Sequence, residues 1–309
     1  MIFSSIISFD FCFLLLFFKI PQFLLYFFFF FFLTFFGNFF FIFFYFLFCS
    51  FFLAFAKPSL EIPKLSKQAK QNFILENVKF NYNGTIYKIF IAKNKNENSN
   101  YKYKIIYLLD GNAFFSLFLN LFNTPVKENL LIIGIGYDNN LAFDTQKRTK
   151  DYTPTTNLNK QGGGSKEFRN FLITQLIPYI NKMYPIDFSH QILFGHSFGG
   201  LFAIDTLLYD SKIFSHYFII SPSLWWDNSE FLSNIIKLQT CPKIYIGLGS
   251  LETNSSIIKG VAKLNAQKLS EKISKETNCK THFKLFKNET HGSVISKAML
   301  WMKKLLDLN

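Results

Sequence analysis

Gly195-His196-Ser197-Phe198-Gly199 sets a serine two residues from a glycine on either side. The apolar run Gln191–Phe194 leads in, and a helix-like run, Phe198–Tyr209, leads out. A serine on a sharp strand-to-helix turn is the G-x-S-x-G nucleophile elbow, and its chemistry is acyl transfer through an exposed hydroxyl. The spacing has a steric reason. Side chains two residues to either side would crowd a strained turn, so both flanks are expected to be glycine. The Phe198 N–H, first of the following helix, is aimed at the oxyanion that develops during attack, where the helix dipole adds to its effect.

A serine nucleophile needs a base, and the base needs an orienting acid. In a strand–helix sheet these belong at the carboxyl ends of the strands. Of five histidines, His190 begins the elbow strand at the wrong end, and His196 sits inside the elbow, too close to reach its neighbour's hydroxyl. His216 and His282 lie within or at the start of strands. His291, in Asn288-Glu289-Thr290-His291-Gly292-Ser293, follows the last strand and is the expected base. Glu252, after the run Lys243–Leu248, is the expected acid; Asp227 is the next candidate, and a serine–histidine dyad is the alternative. The order Ser197, Glu252, His291 is nucleophile, acid, base. A second oxyanion donor is expected from Asp110-Gly111-Asn112, at Gly111 or Asn112. Trp225 and Trp226 read as exposed aromatics for a flat substrate, or as lid packing. Arg148 reads as a binder of anionic oxygens, or as the partner of Asp151. No histidine, cysteine or carboxylate cluster has metal-ligand spacing, no phosphate-binding loop follows a strand, and no cofactor is expected.

Two alternating runs, Asn72–Tyr82 and Thr85–Lys93, flank Asn83-Gly84 and read as a hairpin. Strands at Tyr103–Leu109, Leu130–Tyr137, Gln191–Phe194, Phe214–Ile220, Lys243–Leu248 and Thr281–Phe286 then alternate with helices. The helices are read at 113–122, 165–184 (kinked at Pro178), 198–209, 229–238, 255–277 and 293–306. Residues 138–164 read as one long loop with a linker-like Gly162-Gly163-Gly164. This is an α/β fold: a mostly parallel central sheet with an antiparallel hairpin edge and helices on both faces.

Composition divides the chain. Residues 1–56 hold 25 of the 44 phenylalanines and two charges, Asp10 and Lys19. They read as a hydrophobic leader, either a signal peptide cleaved after Ala54-Phe55-Ala56 or an uncleaved anchor in the inner membrane. Either way residues 72–309 form a domain outside the cytoplasm, periplasmic in a two-membrane cell, joined through a lysine-rich linker at 57–71. The domain carries the whole net charge of +13, but its lysines are scattered and no nucleic-acid motif appears. A soluble basic surface is the plainer reading, and attraction for an anionic substrate the functional one. Cys241 and Cys279 each open a strand; if those strands are parallel neighbours, an oxidising compartment would join them in a disulfide.

Tyr107-Leu108-Leu109-Asp110-Gly111-Asn112, Arg148-Thr149-Lys150-Asp151-Tyr152-Thr153-Pro154, the elbow, Ser221-Pro222-Ser223-Leu224-Trp225-Trp226 and His291-Gly292 together resemble the putative-esterase branch of the α/β-hydrolases. Within it they look most like periplasmic trilactone siderophore esterases, which cut enterobactin-type catecholate triesters. The resemblance covers about residues 73–306. It implies Ser197 as nucleophile, His291 as base, an external location and a small-molecule ester substrate, with iron entering only as part of a ferric siderophore. The alternatives are a broad carboxylesterase or deacetylase and a non-catalytic binding protein of the same fold.

Overall fold

The computed structural model describes residues 61–98, 101–155, 161–227, 232–252 and 265–308. The expected leader and residues 57–60 lie outside them, as do the first parts of the two helices expected from 229 and 255. One compact unit spans Pro58–Asn309.

Eight strands form one sheet: β1 (Phe73–Tyr82), β2 (Thr85–Asn94), β3 (Tyr103–Leu108), β4 (Leu130–Tyr137), β5 (Ile186–His196), β6 (His216–Ile220), β7 (Lys243–Gly249) and β8 (Thr281–Phe286). Their spatial order is β1-β2-β4-β3-β5-β6-β7-β8. The β1–β2 hairpin closes at Asn83-Gly84, both with positive φ, and β2 joins β4 antiparallel. From β4 to β8 every pairing is parallel. The expected mixed sheet with a hairpin edge is the sheet that forms.

Period-2 alternation explains its burial, because successive side chains leave a strand on opposite faces and helices cover both. Ile105, Tyr107, Leu193, Tyr217 and Ile246 face one side, against Phe168, Phe202, Leu207 and Ile273. Ile106, Leu108, Phe194, Phe218 and Ile220 face the other, against Phe114, Phe118, Met299 and Met302. The first layer comes from α4 (Ser165–Phe171), α6 (Phe198–Tyr209) and α7 (Ala266–Thr277), the second from α2 (Gly111–Leu119) and α8 (Val294–Leu305).

Five local expectations are corrected. The linker read at 57–71 contains α1 (Lys67–Asn72), capped by Ser66, whose Oγ accepts from Ala69 N at 3.1 Å; Asn120 Oδ1 also receives Ser66 N–H at 2.8 Å. The loop at 138–164 contains α3 (Thr145–Tyr152), capped by Asp144. Gly162–Gly164 is no flexible linker. Gly163 and Gly164 donate to the carbonyls of Thr153 and Lys150, at 3.2 and 2.8 Å, and a side chain at 162 would strike Thr153 and Trp226. The long helix at 165–184 does break near Pro178, but as a π-helical turn at Leu172–Leu176 before α5 (Ile177–Met183). Residues 232–238 are irregular where a helix was read.

Cys241 and Cys279 are joined in a disulfide with their Cα atoms 5.2 Å apart. Each lies two residues before the start of β7 or β8, and the parallel pairing of those strands brings them together.

Candidate active site

Three residues with positive φ follow three adjacent strands: Asp110 (53°) after β3, Ser197 (59°) after β5 and Ser221 (44°) after β6. Non-glycine residues held there cost of order 1–3 kcal/mol each and persist where packing over-determines them. Of the eight such residues among those described, these three stand side by side at the carboxyl edge where the sequence places the chemistry.

Ser197 closes the turn between β5 and α6. Its N–H donates to Ile220 O at 3.0 Å, and its carbonyl accepts from Leu201 N at 3.0 Å and Ser223 N at 3.1 Å. Its hydroxyl is half-buried and shares a hydrogen bond with Ser223 Oγ at 3.2 Å. Phe198 is the first residue of α6 and Gly111 the first of α2, so their N–H groups have no intrahelical partner. The β3–β5 pairing, with Leu108 opposite Phe194, sets these two helix starts side by side. Asn112 also lies in the first turn of α2. Its amide side chain is committed to β4, accepting from Tyr137 N at 2.9 Å and donating to Tyr137 O at 3.0 Å, so only its backbone N–H remains a candidate donor.

The glycines of the elbow differ in what they make room for. A Cβ on Gly195 would run into the backbone of Gly199, whereas one on Gly199 would meet Leu109 Cβ at an ordinary 3.4 Å. The second crowded position is Gly200, where a Cβ would stand 3.0 Å from Ile220 O. The expectation of steric need at both motif glycines holds for Gly195 and shifts from Gly199 to Gly200. Gly195→Ala is expected to destabilise the protein by about 3 kcal/mol, at the top of the range for overpacking, and Gly199→Ala by less than about 1 kcal/mol. Urea unfolding midpoints of the two variants check this, and equal midpoints would contradict it.

His291 lies in the turn after β8, with its side chain half exposed. Its Nδ1 is 2.7 Å from Glu252 Oε2. Glu252 is buried, and its other oxygen accepts from Ser221 Oγ at 2.7 Å and Gly249 N at 2.8 Å. The carboxylate is thus aimed by two donors, and Nε2 of His291 is left as the ring nitrogen for a hydroxyl. Glu252, not Asp227, is the acid partner of this histidine. His196 is buried at the end of β5; its Nε2 donates to the His291 carbonyl at 2.8 Å, and the two rings lie 4.6 Å apart. Burial, helped by the nearby His291 and Arg148, holds the His196 pKa well below the usual imidazole value, so the ring is neutral.

Arg148 departs from both of its expected readings. It is buried on α3 and grips Asp110 with both fork positions, Nε to Oδ1 at 2.8 Å and Nη2 to Oδ2 at 2.9 Å. Burial alone would weaken its charge, but the Asp110 carboxylate reverses that, and Arg148 stays protonated. Asp151 instead accepts from the hydroxyls of Tyr87 and Tyr137, each at 3.0 Å, and burial pushes its pKa up to about 6. Asp110 N–H donates to Tyr152 Oη at 3.0 Å. The strained turn that opens α2 is therefore held by its side chain and its backbone together.

The tryptophans also part ways. Trp225 is 41% exposed, whereas Trp226 is buried and donates from Nε1 to Pro154 O at 3.1 Å. Both rings pack against Phe198, at 5.5 and 5.6 Å, so Trp226 backs the wall that Trp225 presents. Sequence reasoning flagged the Ser221-Pro222-Ser223 segment but not its roles. Ser221 aims Glu252 and Ser223 meets Ser197; the signal was only the repeated serine at a strand end.

A serine elbow beside a histidine–glutamate pair, on a mostly parallel sheet with helices on both faces, defines a serine carboxylic ester hydrolase of α/β-hydrolase fold. The family model described as Putative esterase matches residues 83–306, and the chain belongs to that family. The chain is 35% identical over 156 residues to an apo-salmochelin esterase of Escherichia coli O6:H1, a match covering 46% of this chain and 49% of that protein, about half its length. It is 30% identical over 269 residues to the ferri-bacillibactin esterase BesA of Bacillus subtilis, covering 78% of this chain and 87% of that protein. The crystal structure of the BES protein from Bacillus cereus superposes with a TM-score of 0.61 at 29% identity, over 79% of this chain and 98% of that one.

Proposed function

We propose that this protein hydrolyses the ester backbone of a catecholate siderophore trilactone through an acyl-enzyme on Ser197. The Glu252–His291 hydrogen bond beside the elbow carries the reading, since it leaves the imidazole oriented with Nε2 open. The Ser197 hydroxyl leaves Ser223 and gives its proton to His291 Nε2 as Oγ attacks the ester carbonyl. The carbonyl oxygen becomes an oxyanion, held by the N–H of Phe198 and an N–H of Gly111 or Asn112. The intermediate collapses, and the proton on His291 passes to the leaving alkoxide. In a cyclic triester the freed hydroxyl stays on the same molecule, so the opened trimer remains attached to Ser197. Water then attacks with His291 as base, and a linear acid departs. Glu252 keeps Nδ1 protonated throughout and stabilises the imidazolium.

The substrate assignment is supported by the relatives matched, by the motifs shared with trilactone siderophore esterases, and by Trp225 standing exposed at the elbow. The net charge of +13 suits an anionic ferric complex, with iron as part of the substrate. The hydrophobic leader and the Cys241–Cys279 disulfide support work outside the cytoplasm. The test compares kcat/KM on enterobactin, iron-free and ferric, with that on short p-nitrophenyl esters. A much higher value on the trilactone is expected. Rapid p-nitrophenyl ester cleavage with the trilactone untouched would remove the siderophore assignment and leave a general carboxylesterase.

A further inference from the structure

We propose that His196, the residue before the elbow serine, is a positioning residue for the catalytic histidine. The inference rests on the reading that Ser197 and His291 act as a pair. The two come from β5 and from the turn after β8, and β6 and β7 lie between those strands. Ser221 and Glu252 tie the His291 ring to this edge through side chains, but the separation of the two backbones would otherwise depend on three strand pairings and a turn. His196 shortens that path to one hydrogen bond, because it is covalently joined to Ser197 and its Nε2 donates to the His291 carbonyl at 2.8 Å.

The geometry suits holding rather than reacting. The His196 ring is buried, edge-on to Phe114 at 6.2 Å and tilted against the His291 ring at 4.6 Å. The partner is a backbone oxygen, which can only accept, so Nε2 of His196 carries the proton and is not free to act as a base. His291 has a half-exposed ring with Glu252 on Nδ1, so Glu252 sets the ring and His196 sets the backbone from which the ring springs. The neutrality that burial imposes on His196 also matters. A second cation this close would oppose the imidazolium formed on His291 as Ser197 attacks.

A donor of the same reach should replace His196, and an aromatic ring without a donor should not. Displacing a catalytic group by an ångström can cost about 100-fold in rate. His196→Phe is therefore expected to lower kcat on a simple ester by about 10- to 100-fold with KM changed less than about twofold, whereas His196→Gln stays within about threefold of the parent. If His196→Phe does not fold, as judged by thermal melting, His196→Met fills the space without a donor and takes its place. Unchanged kcat in the donor-free variant, or equal loss in Phe and Gln variants, would overturn the proposal, the latter because it would assign the effect to packing. His291→Ala in the same assay separates the two readings. If it is inactive while His196→Phe is unimpaired, only the role of His196 falls; if it retains activity, the serine–histidine pairing itself falls.

Discussion

Ser197→Ala is expected to lower kcat for ester hydrolysis by about a million-fold, or about 8 kcal/mol in the barrier, while leaving the fold and substrate binding nearly intact. The size follows from what is lost. Without Oγ there is no covalent route, and water must attack with only the oxyanion donors and the bound geometry to help. The fold survives because the hydroxyl's hydrogen bond runs to Ser223 Oγ, while the turn is held by backbone bonds to Ile220, Leu201 and Ser223 that alanine keeps. His291→Ala should cost about as much, and the double variant little more than either, because nucleophile and base work as one unit. Steady-state kinetics on a p-nitrophenyl ester check both claims. Additive losses in the double variant, or more than about one per cent of parental kcat in Ser197→Ala, would contradict them.

Glu252→Gln comes second, with an expected loss of about ten-thousand-fold in kcat and little change in KM. The substitution is nearly isosteric. Its amide oxygen can still accept from Ser221 Oγ and Gly249 N, which now bond to Oε1 at 2.7 and 2.8 Å. Its NH2 then faces His291 Nδ1, where Oε2 now sits at 2.7 Å. A donor there demands a lone pair on Nδ1 and drives the ring proton to Nε2, the atom that must accept from Ser197. The damage is thus a wrong tautomer together with an unsupported imidazolium. Glu252→Ala adds a different injury, since it strands the buried donors of Ser221 and Gly249 and should lower stability by about 1–3 kcal/mol as well. Full activity in Glu252→Gln would show that serine and histidine act as a dyad.

These expectations could be framed from sequence because the site follows chain order along the sheet. An apolar strand before Ser197, another before Glu252 and a last one before His291 put all three at one edge, and that edge is where they lie. The hairpin was legible from Asn83-Gly84 and the alternation around it. What was not legible depends on tertiary contact. Arg148 finds Asp110, 38 residues away, and a buried guanidinium must take the carboxylate the fold supplies. The run Thr145–Tyr152 is polar and carries no apolar stripe, yet its capped helix forms because Arg148, Asp151 and Tyr152 bury polar groups that find partners. Adjacent tryptophans look alike in sequence, but the Pro154 carbonyl beside Nε1 decides that Trp226 goes inside. Gly199 and Gly200 are likewise indistinguishable until Ile220 and Pro222 approach the second of them.

In the proposed mechanism Ser197 carries the acyl group between substrate and water. Acid-quenching the purified protein within one turnover of enterobactin, followed by mass spectrometry of its peptides, tests that claim. The peptide containing Ser197 is expected to gain the mass of the opened trilactone, and the adduct should be absent from Ser197→Ala. Hydrolysis at the normal rate with no adduct on that peptide, or an adduct on another side chain, would contradict it.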